Sequence, residues 1–309
     1  MRQRFAFNVE PFNAYSEFDE TIDAIGEYDE AFEFYDPALE ESWLGEAASA
    51  EDKLFKPHSR GGYRRYGGGR VDTRLKQLRD SGKLSIRDAD IDMLQRIANV
   101  ETGGLIQGLN SYDSAFMSMG FMQWTIKYTD NYYRDGKLQR LIQRAPAAFR
   151  KYGIELDTPR RYIIGEYKPL AFKGAQFARD LRSLDWAKRF YAAGLDPDVI
   201  IEEVKMALEV IEESKRRITN RVGRDFLPYY ERSAVLRALV QETYNNRPAY
   251  LYEALKRAIA RAKQRAEATT EQFLDLVRAA IREVYGEKEP QAGPRKAENL
   301  VHKTARLVL

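Results

Sequence analysis

The sequence contains no cysteine, and its only histidines are His58 and His302. The absence of cysteine excludes disulfides, thiolate metal ligands and a cysteine nucleophile. Two histidines in segments without a regular pattern do not supply a Ser-His-Asp triad or a histidine-rich metal centre. Any acid–base chemistry therefore depends on carboxylates, lysine or tyrosine.

Long apolar runs are also absent, since no segment approaches the roughly 18 residues that a bilayer-spanning helix requires. The N-terminus carries Arg2 and Arg4 but not the apolar segment that follows such residues in a signal peptide. We therefore expect no membrane insertion, and synthesis in the cytoplasm without a cleaved signal. A target outside the cytoplasm is then reached by lysis or with the help of a delivery apparatus.

The net charge of +3 combines an acidic head with a basic body. Residues 1–52 contain 15 acidic and two basic residues, a balance of −13, so the other 257 residues carry +16. Ten aromatic residues interrupt the acidic ones without a helical or strand period, so we expect disorder. The head is either a solubilising tail or a docking segment. The basic body suits an anionic polymer, although basicity alone does not identify one.

The segment after the head is rich in glycine and arginine. Residues 60–70 contain five glycines and four arginines, which predicts a flexible linker, with weak RNA binding as the less favoured alternative. From about residue 71 the pattern becomes helical. We therefore predict three parts: a disordered head and linker over 1–70, one folded domain over 71–286, and a loosely structured tail over 287–309 in which 299–309 forms at most a short helix.

Apolar periodicity within the body predicts a mainly α fold. Gly153 and Gly194 end two of the helices, and Asp196 with Pro197 begins another as an N-cap and a first-turn proline. Residues 105–125 lack a helical period and predict a loop with a small hairpin. The predicted helices cover about 85–102, 137–152, 169–193, 197–218, 230–243, 249–268 and 270–285.

Two carboxylates in this pattern are candidates for catalysis. Glu101 continues an apolar stripe into the last helical turn before Gly103 and Gly104, so we expect it to be partly buried. Burial and the negative end of the helix dipole both favour the protonated form, which can donate a proton to a glycosidic oxygen. Asp113 lies in a polar loop, where we expect it to stay ionised as a second carboxylate.

Four neighbouring side chains are candidates for substrate binding. Ser118 and Gln123 can hydrogen-bond hydroxyl or acetamido groups, and Tyr112 and Trp124 offer flat faces to sugar rings. Each also has an ordinary explanation, because a glutamate before Gly-Gly is a common helix end and the segment around Trp124 fits a buried strand. The functional prediction therefore depends on the ordered set.

That ordered set resembles the lysozyme-like superfamily, and is closest in pattern to lytic transglycosylases and some phage lysozymes. The matching segments are Glu101-Thr-Gly-Gly, then Ser118 with Gly-Phe-Met-Gln123, then Tyr244-Asn245. The resemblance implies a mainly α, lysozyme-like α+β domain with a small β-hairpin beside the active-site cleft. It also implies that Glu101 is the general acid and that Gln123, Tyr244 and Asn245 line the cleft.

The resemblance implies cleavage of the β-1,4 bond between MurNAc and GlcNAc in peptidoglycan, with no metal and no organic cofactor. Glu101 would protonate the leaving oxygen. Asp113 would activate water, as in a lysozyme, or would only support the site while the sugar's own 6-hydroxyl attacks, as in a lytic transglycosylase. Residues 1–52 would then engage a phage-like or contractile apparatus that delivers the enzyme to the wall.

Three other functions stay open at this point. The first is a chitosanase or chitinase, and the second is a non-catalytic glycan-binding or assembly module that shares the fold. The third is nucleic-acid binding through residues 60–70 and the basic helix near 256–265, although we expect those charges to be a solvated face and expect no nucleic acid as partner.

Overall fold

A computed structural model of the protein describes residues 52–59, 61–112, 117–126, 136–157, 162–165, 168–170, 181–265 and 268–306. These residues belong to one compact unit that spans Leu44–Leu309. The head predicted for residues 1–52 lies outside the described residues except for Asp52, and Asp113 lies outside them as well.

The fold is mainly helical, as the sequence predicts, and it has two small antiparallel sheets where the sequence predicts only a hairpin within 105–125. A short 3-10 helix spans Asp52–Leu54. The α-helices of the described residues are α1 (Val71–Asp80), α2 (Asp88–Glu101), α3 (Lys137–Arg144), α4 (Pro146–Arg150), α5 (Leu184–Ala193), α6 (Pro197–Val222), α7 (Leu227–Arg232), α8 (Ala234–Asn246), α9 (Pro248–Lys263), α10 (Thr270–Lys288) and α11 (Gly293–Ala305).

The strands form two antiparallel sheets. The first has the order β1 (Lys56–Pro57), β2 (Tyr63–Arg70), β3 (Leu105–Asn110), β4 (Ser118–Met119) and β5 (Trp124–Thr125). The second is formed by β6 (Glu155–Asp157), β7 (Tyr162–Gly165) and β8 (Lys168–Leu170).

The predicted linker is wrong for residues 63–70, which form strand β2 beside β3. The Arg65 guanidinium lies 4.7 Å from the Phe55 ring centroid and 4.0 Å from that of Tyr191, so it is a packed cation rather than a solvated one. A Cβ on Gly67 would lie 2.4 Å from the Tyr191 hydroxyl, and one on Gly68 would lie 2.3 Å from a Leu195 methyl. Glycine is present here because the strand is closely packed, not because the chain is flexible.

Helix boundaries follow local chemistry. Asp196 begins α6 by accepting a hydrogen bond from the Asp198 amide at 2.9 Å, as predicted. Pro146 divides the predicted helix 137–152 into α3 and α4. The helix predicted to begin at about residue 85 instead begins at Asp88, as α2, without a side-chain cap.

The predicted loose tail is wrong for α11, which packs against α2, α8 and α10. The Arg96 guanidinium of α2 donates to the Thr304 carbonyl at 3.1 Å and to the Ala305 carbonyl at 3.0 Å. The Asn99 amide donates to the Arg306 carbonyl at 2.9 Å. These bonds satisfy the C-terminal carbonyls of α11 and fix it against α2.

The buried apolar residues form two hydrophobic cores, and α8 contributes to both. The first includes Leu94 and Ile97 of α2 with the five-stranded sheet, and the second includes Leu239 and Val240 of α8 with α9, α10 and α11. Within the described ranges, no helix is long and apolar enough to span a membrane.

Candidate active site

Glu101 is the last residue of α2, and it is partly exposed. The Thr102 hydroxyl closes this helix end by donating to the Leu105 carbonyl at 2.6 Å and to the Ala98 carbonyl at 3.1 Å. Gly103 and Gly104 follow with φ of 68° and 89°, a conformation that glycine adopts without steric cost. The turn therefore leads the chain from Glu101 directly into β3.

Three side chains meet at Gly108 of β3, next to this turn. A Cβ at this position would lie 2.6 Å from the Thr102 methyl, 2.6 Å from the Gln123 side-chain nitrogen and 2.8 Å from the Tyr66 ring. A larger residue would push these groups apart. The absence of a side chain at residue 108 thus lets Tyr66 and Gln123 pack beside the helix end that carries Glu101.

Gln123 holds the loop before β5 in place. Its side-chain nitrogen donates to the Gly108 carbonyl at 3.1 Å and to the Gly120 carbonyl at 2.8 Å, and its Oε1 accepts from the Asn110 amide at 2.6 Å. Its φ is +47°, an unusual value for a residue other than glycine. Both amide hydrogens are therefore used within the protein, and only Oε1 retains capacity for a substrate.

Tyr66 is an aromatic residue of β2 that the sequence analysis did not select. Its side chain is 40% exposed, and its hydroxyl donates to Asn110 Oδ1 at 2.9 Å. Burial of the hydroxyl raises the pKa of Tyr66 to about 12, and the charges of Tyr112 and Glu101 add to the rise. The effect of Glu101 places this hydroxyl in the same electrostatic environment as the candidate acid.

The predicted Tyr112 lies close to this group. Its ring stacks on the imidazole of His58 with centroids 3.9 Å apart and planes 7° from parallel. Tyr112 is partly exposed, and its charge contributes to the raised pKa of Tyr66. The sheet thus brings aromatic side chains of β2 and of the residues after β3 to one side of Glu101.

A second carboxyl, that of Glu242 on α8, lies beside the carboxyl of Glu101, close enough for a hydrogen bond between the two. Glu242 is 0% exposed, and no N–H or O–H group of the described residues donates to either of its oxygens. Two carboxyls form such a bond only when one of them holds a proton. Burial raises the pKa of Glu242 well above its usual value, and the charge of Glu101 adds to the rise. Both effects favour the neutral form of Glu242.

A third carboxyl, that of Glu203 on α6, holds the loop that contains Gln123. It is 0% exposed and accepts backbone hydrogen bonds from Met122, at 3.2 Å, and from Phe121. Burial raises the pKa of Glu203 well above its usual value, while the two backbone bonds oppose the rise. A Cβ on Gly120, where φ is +82°, would lie 2.1 Å from a Glu203 oxygen.

The structure does not bring every predicted residue to the site. Ser118 and Trp124 are 3% and 2% exposed, so both are core side chains without an accessible face for a sugar. The Tyr244 ring packs edge-on against Tyr252 at 6.2 Å, about 200° around α8 from Glu242, and so faces the second core. Asn245 is exposed and accepts a hydrogen bond from the Gln241 amide at 2.8 Å.

The structure thus gives no support to the predicted contacts between substrate and Ser118, Trp124 or Tyr244, because a polar or aromatic residue type does not by itself show which face it occupies. The sequence does contain a signal for the two buried glutamates, although the motifs do not include them. Glu203 follows Val199 by four residues, and Glu242 follows Leu239 by three, so each acid occupies an apolar helical stripe. An acid in such a stripe is either paired or protonated.

Among the residues that the structure describes, no group of three or more histidine, aspartate or glutamate side chains could hold a metal ion. No protein-family model, curated protein or solved structure matches the chain.

Proposed function

We propose that this protein cleaves the glycan strand of peptidoglycan at the β-1,4 bond between MurNAc and GlcNAc, as a lysozyme-like enzyme. The observation that carries the proposal is a partly exposed carboxyl, Glu101, which lies beside the buried carboxyl of Glu242. The order of the three sequence motifs, which resembles that of lytic transglycosylases and phage lysozymes, also supports it.

Glu101 acts as the general acid. Its proton passes to the glycosidic oxygen as the bond from that oxygen to the anomeric carbon breaks, and an oxocarbenium-like centre develops. Either the sugar's own 6-hydroxyl attacks this centre and gives its proton to the Glu101 carboxylate, or water attacks it and gives its proton to a second carboxylate. Asp113 stays a sequence-based prediction for the residue that activates water.

Polar and aromatic groups beside Glu101 fit an N-acetylated sugar. Asn110 and Gln123 form a hydrogen-bonded amide pair, and Gln123 Oε1 can still accept from an acetamido N–H. The exposed ring of Tyr66 and the partly exposed ring of Tyr112 offer apolar faces to pyranose rings. These contacts orient the chain so that one glycosidic oxygen reaches Glu101.

The experiment is digestion of purified peptidoglycan by the wild type, by Glu101→Gln and by Glu298→Gln, with products identified by mass spectrometry. Glu298 is an exposed glutamate paired with Arg282, so its variant is a matched control. We expect Glu101→Gln to lower the rate by about 10²- to 10⁴-fold and the control to leave it unchanged. Reducing ends indicate a lysozyme, and anhydro ends indicate a lytic transglycosylase.

The same assay can also refute the proposal. No product from the wild type, or equal rates for wild type and Glu101→Gln, would remove the catalytic role. Release of reducing ends from chitosan but not from peptidoglycan would instead identify a chitosanase. Binding of peptidoglycan without turnover, unchanged by Glu101→Gln, would identify a non-catalytic module.

Delivery through residues 1–52 belongs to the same proposal, and the fold determines how it is tested. A deletion that removes residues 1–70 would also remove β2 and with it Tyr66. A deletion of residues 1–43 ends before the compact unit that begins at Leu44. If the head restrains the basic body, this shorter deletion raises the rate in vitro at low salt. If it serves docking, the rate is unchanged and delivery is lost.

A further inference from the structure

Glu242 lies where it can influence the reaction only through Glu101. It is 0% exposed on α8, which packs against α2, so no polymer can reach its oxygens. Paired catalytic carboxylates of glycosidases stand about 5 to 9.5 Å apart, with the substrate or a water between them. Glu242 lies beside Glu101 and is closed off from substrate and solvent, so it is neither the nucleophile nor the base that activates water.

The surroundings of Glu242 favour the retention of its own proton after Glu101 has lost one. The groups that act on it are Glu101 of α2, Lys137 of α3 and Lys303 of α11, and Tyr285 of α10 is also within electrostatic reach. The two lysines oppose the effect of burial without overcoming it. Because Glu101 is partly exposed and Glu242 is not, a negative charge costs less on Glu101.

We propose that Glu242 is a positioning residue that keeps its proton throughout the reaction and donates its O–H to the carboxyl of Glu101. This inference rests on the proposed role of Glu101 as the general acid. It assigns to a buried helix residue a function that the motif order in the sequence does not indicate.

The hydrogen bond strengthens when the reaction needs it. As Glu101 passes its proton to the glycosidic oxygen, its carboxyl becomes an anion, and hydrogen bonds to ionised acceptors are roughly twice as strong as neutral ones. The bond therefore stabilises the transition state more than the ground state. When the Glu101 carboxylate later accepts a proton, the bond weakens again. The proton of Glu242 does not move, so Glu242 takes no part in the proton balance of the reaction.

The test compares Glu242→Gln with Glu242→Leu. The glutamine amide is also a neutral donor, so we expect kcat within about fivefold of the wild type. Leucine has no donor, so we expect kcat to fall about 10- to 100-fold with KM little changed. Loss of the donor also destabilises the Glu101 anion, so the alkaline limb of the pH–rate profile moves to higher pH in Glu242→Leu and stays in place in Glu242→Gln.

A second measurement does not depend on activity. In protein labelled at the glutamate carboxyl carbons with ¹³C, the Glu242 resonance is the one that Glu242→Gln removes. We expect it to remain at its protonated position through neutral pH and to titrate at lower pH in Glu101→Gln, where the neighbouring charge is gone. Thermal unfolding of each variant shows whether it is folded.

Each opposing outcome is distinct. A Glu242 resonance that titrates in the ordinary glutamate range refutes the neutral donor. Wild-type kcat and pH profile in folded Glu242→Leu refute the positioning role alone, while Glu242→Gln as inactive as Glu101→Gln shows that Glu242 itself titrates in the reaction. A wild type that does not cleave peptidoglycan instead removes the proposed function and the positioning role with it, although the resonance still reports the proton.

Discussion

Glu203 and Glu242 are both fully buried glutamates on helices, and they differ in the groups that their oxygens meet. Glu203 accepts hydrogen bonds from the backbone amides of Phe121 and Met122. Glu242 receives no N–H or O–H donor from the described residues and instead lies beside the carboxyl of Glu101. Burial raises the pKa of both groups and so favours their neutral forms.

The difference shows that burial alone does not determine what an acid in a protein interior does. A neutral carboxyl whose oxygens accept from backbone amides restrains a loop, and here it restrains the loop that contains Gln123. A neutral carboxyl that faces another carboxyl can donate its proton in a hydrogen bond and can therefore respond to a change of charge on that neighbour. Removal of Glu203 contacts should thus affect stability, whereas removal of Glu242 contacts should affect chemistry.

Gly120→Ala should have the largest effect on stability. The added Cβ would lie 2.1 Å from a Glu203 oxygen, and φ of +82° is strained for alanine. Backbone strain of about 1–2 kcal/mol and overpacking of about 1–3 kcal/mol together predict a loss of about 3 kcal/mol in the free energy of unfolding, measured by denaturant titration.

Gly69→Ala is the matched control, because Gly69 has φ of +85° and no atom within 4 Å of an added Cβ. It should lose only the backbone part, about 1–2 kcal/mol. Equal losses in the two variants would mean that Glu203 can move away from Gly120 without cost, and Glu203 would then not restrain the loop.

The pH dependence of stability should distinguish buried glutamates from surface ones. A carboxyl with a raised folded-state pKa contributes stability that is complete below its unfolded pKa, near 4.5, and that is lost as pH rises through the folded pKa. Each such group gives a slope of at most about 1.4 kcal/mol per pH unit within that window. Glu203→Gln and Glu242→Gln should each make the decline above pH 4.5 shallower.

Glu209→Gln should change the pH dependence of stability in the opposite direction. The hydrogen bonds from Arg144 lower the pKa of Glu209, so its contribution is present above its unfolded pKa and is lost as pH falls through the folded pKa. This variant should alter stability only on the acid side. If the glutamine variants at residues 203 and 242 leave the profile above pH 4.5 unchanged, neither buried group keeps its proton.

Periodicity predicted α2 with Glu101 at its end and α6 with its Asp196 cap, because both signals are local. It failed where long-range packing decides the structure. Residues 63–70 have the composition of a linker, yet β3, Tyr191 and Leu195 enclose them as a strand. The C-terminal helix α11 depends on hydrogen bonds from Arg96 and Asn99, which lie about 200 positions earlier in the chain.

For the candidate site, the sequence indicated the acid but not its surroundings. Tyr66 belongs to a strand whose glycine- and arginine-rich composition indicates a linker. Glu242 belongs to a helix, and only the tertiary packing determines which side of that helix faces Glu101. The predicted Tyr244 lies only two residues from Glu242, yet it faces the second core. A helical position is therefore informative only together with the neighbours on its face.

Substitution of Tyr66 should have the smallest effect of the changes considered. It extends the comparison of the two buried glutamates to an exposed residue. A side chain that contacts substrate equally in the ground state and the transition state changes KM, whereas one that acts only in the transition state changes kcat. We therefore expect Tyr66→Ala to raise KM for peptidoglycan severalfold with kcat nearly unchanged, the reverse of Glu242→Leu.

Tyr66→Phe keeps the ring and loses only the hydrogen bond to Asn110 Oδ1, so its unfolding free energy should change by no more than about 1 kcal/mol and its KM should stay near that of the wild type. Leu54→Ala is the control, because Leu54 is another strongly exposed apolar side chain, at 53%. Steady-state kinetics on soluble glycan fragments separates the two constants. A fall in kcat rather than a rise in KM for Tyr66→Ala would place Tyr66 with Glu242 among the groups that act on Glu101, because the exposed ring would then not serve as a binding surface.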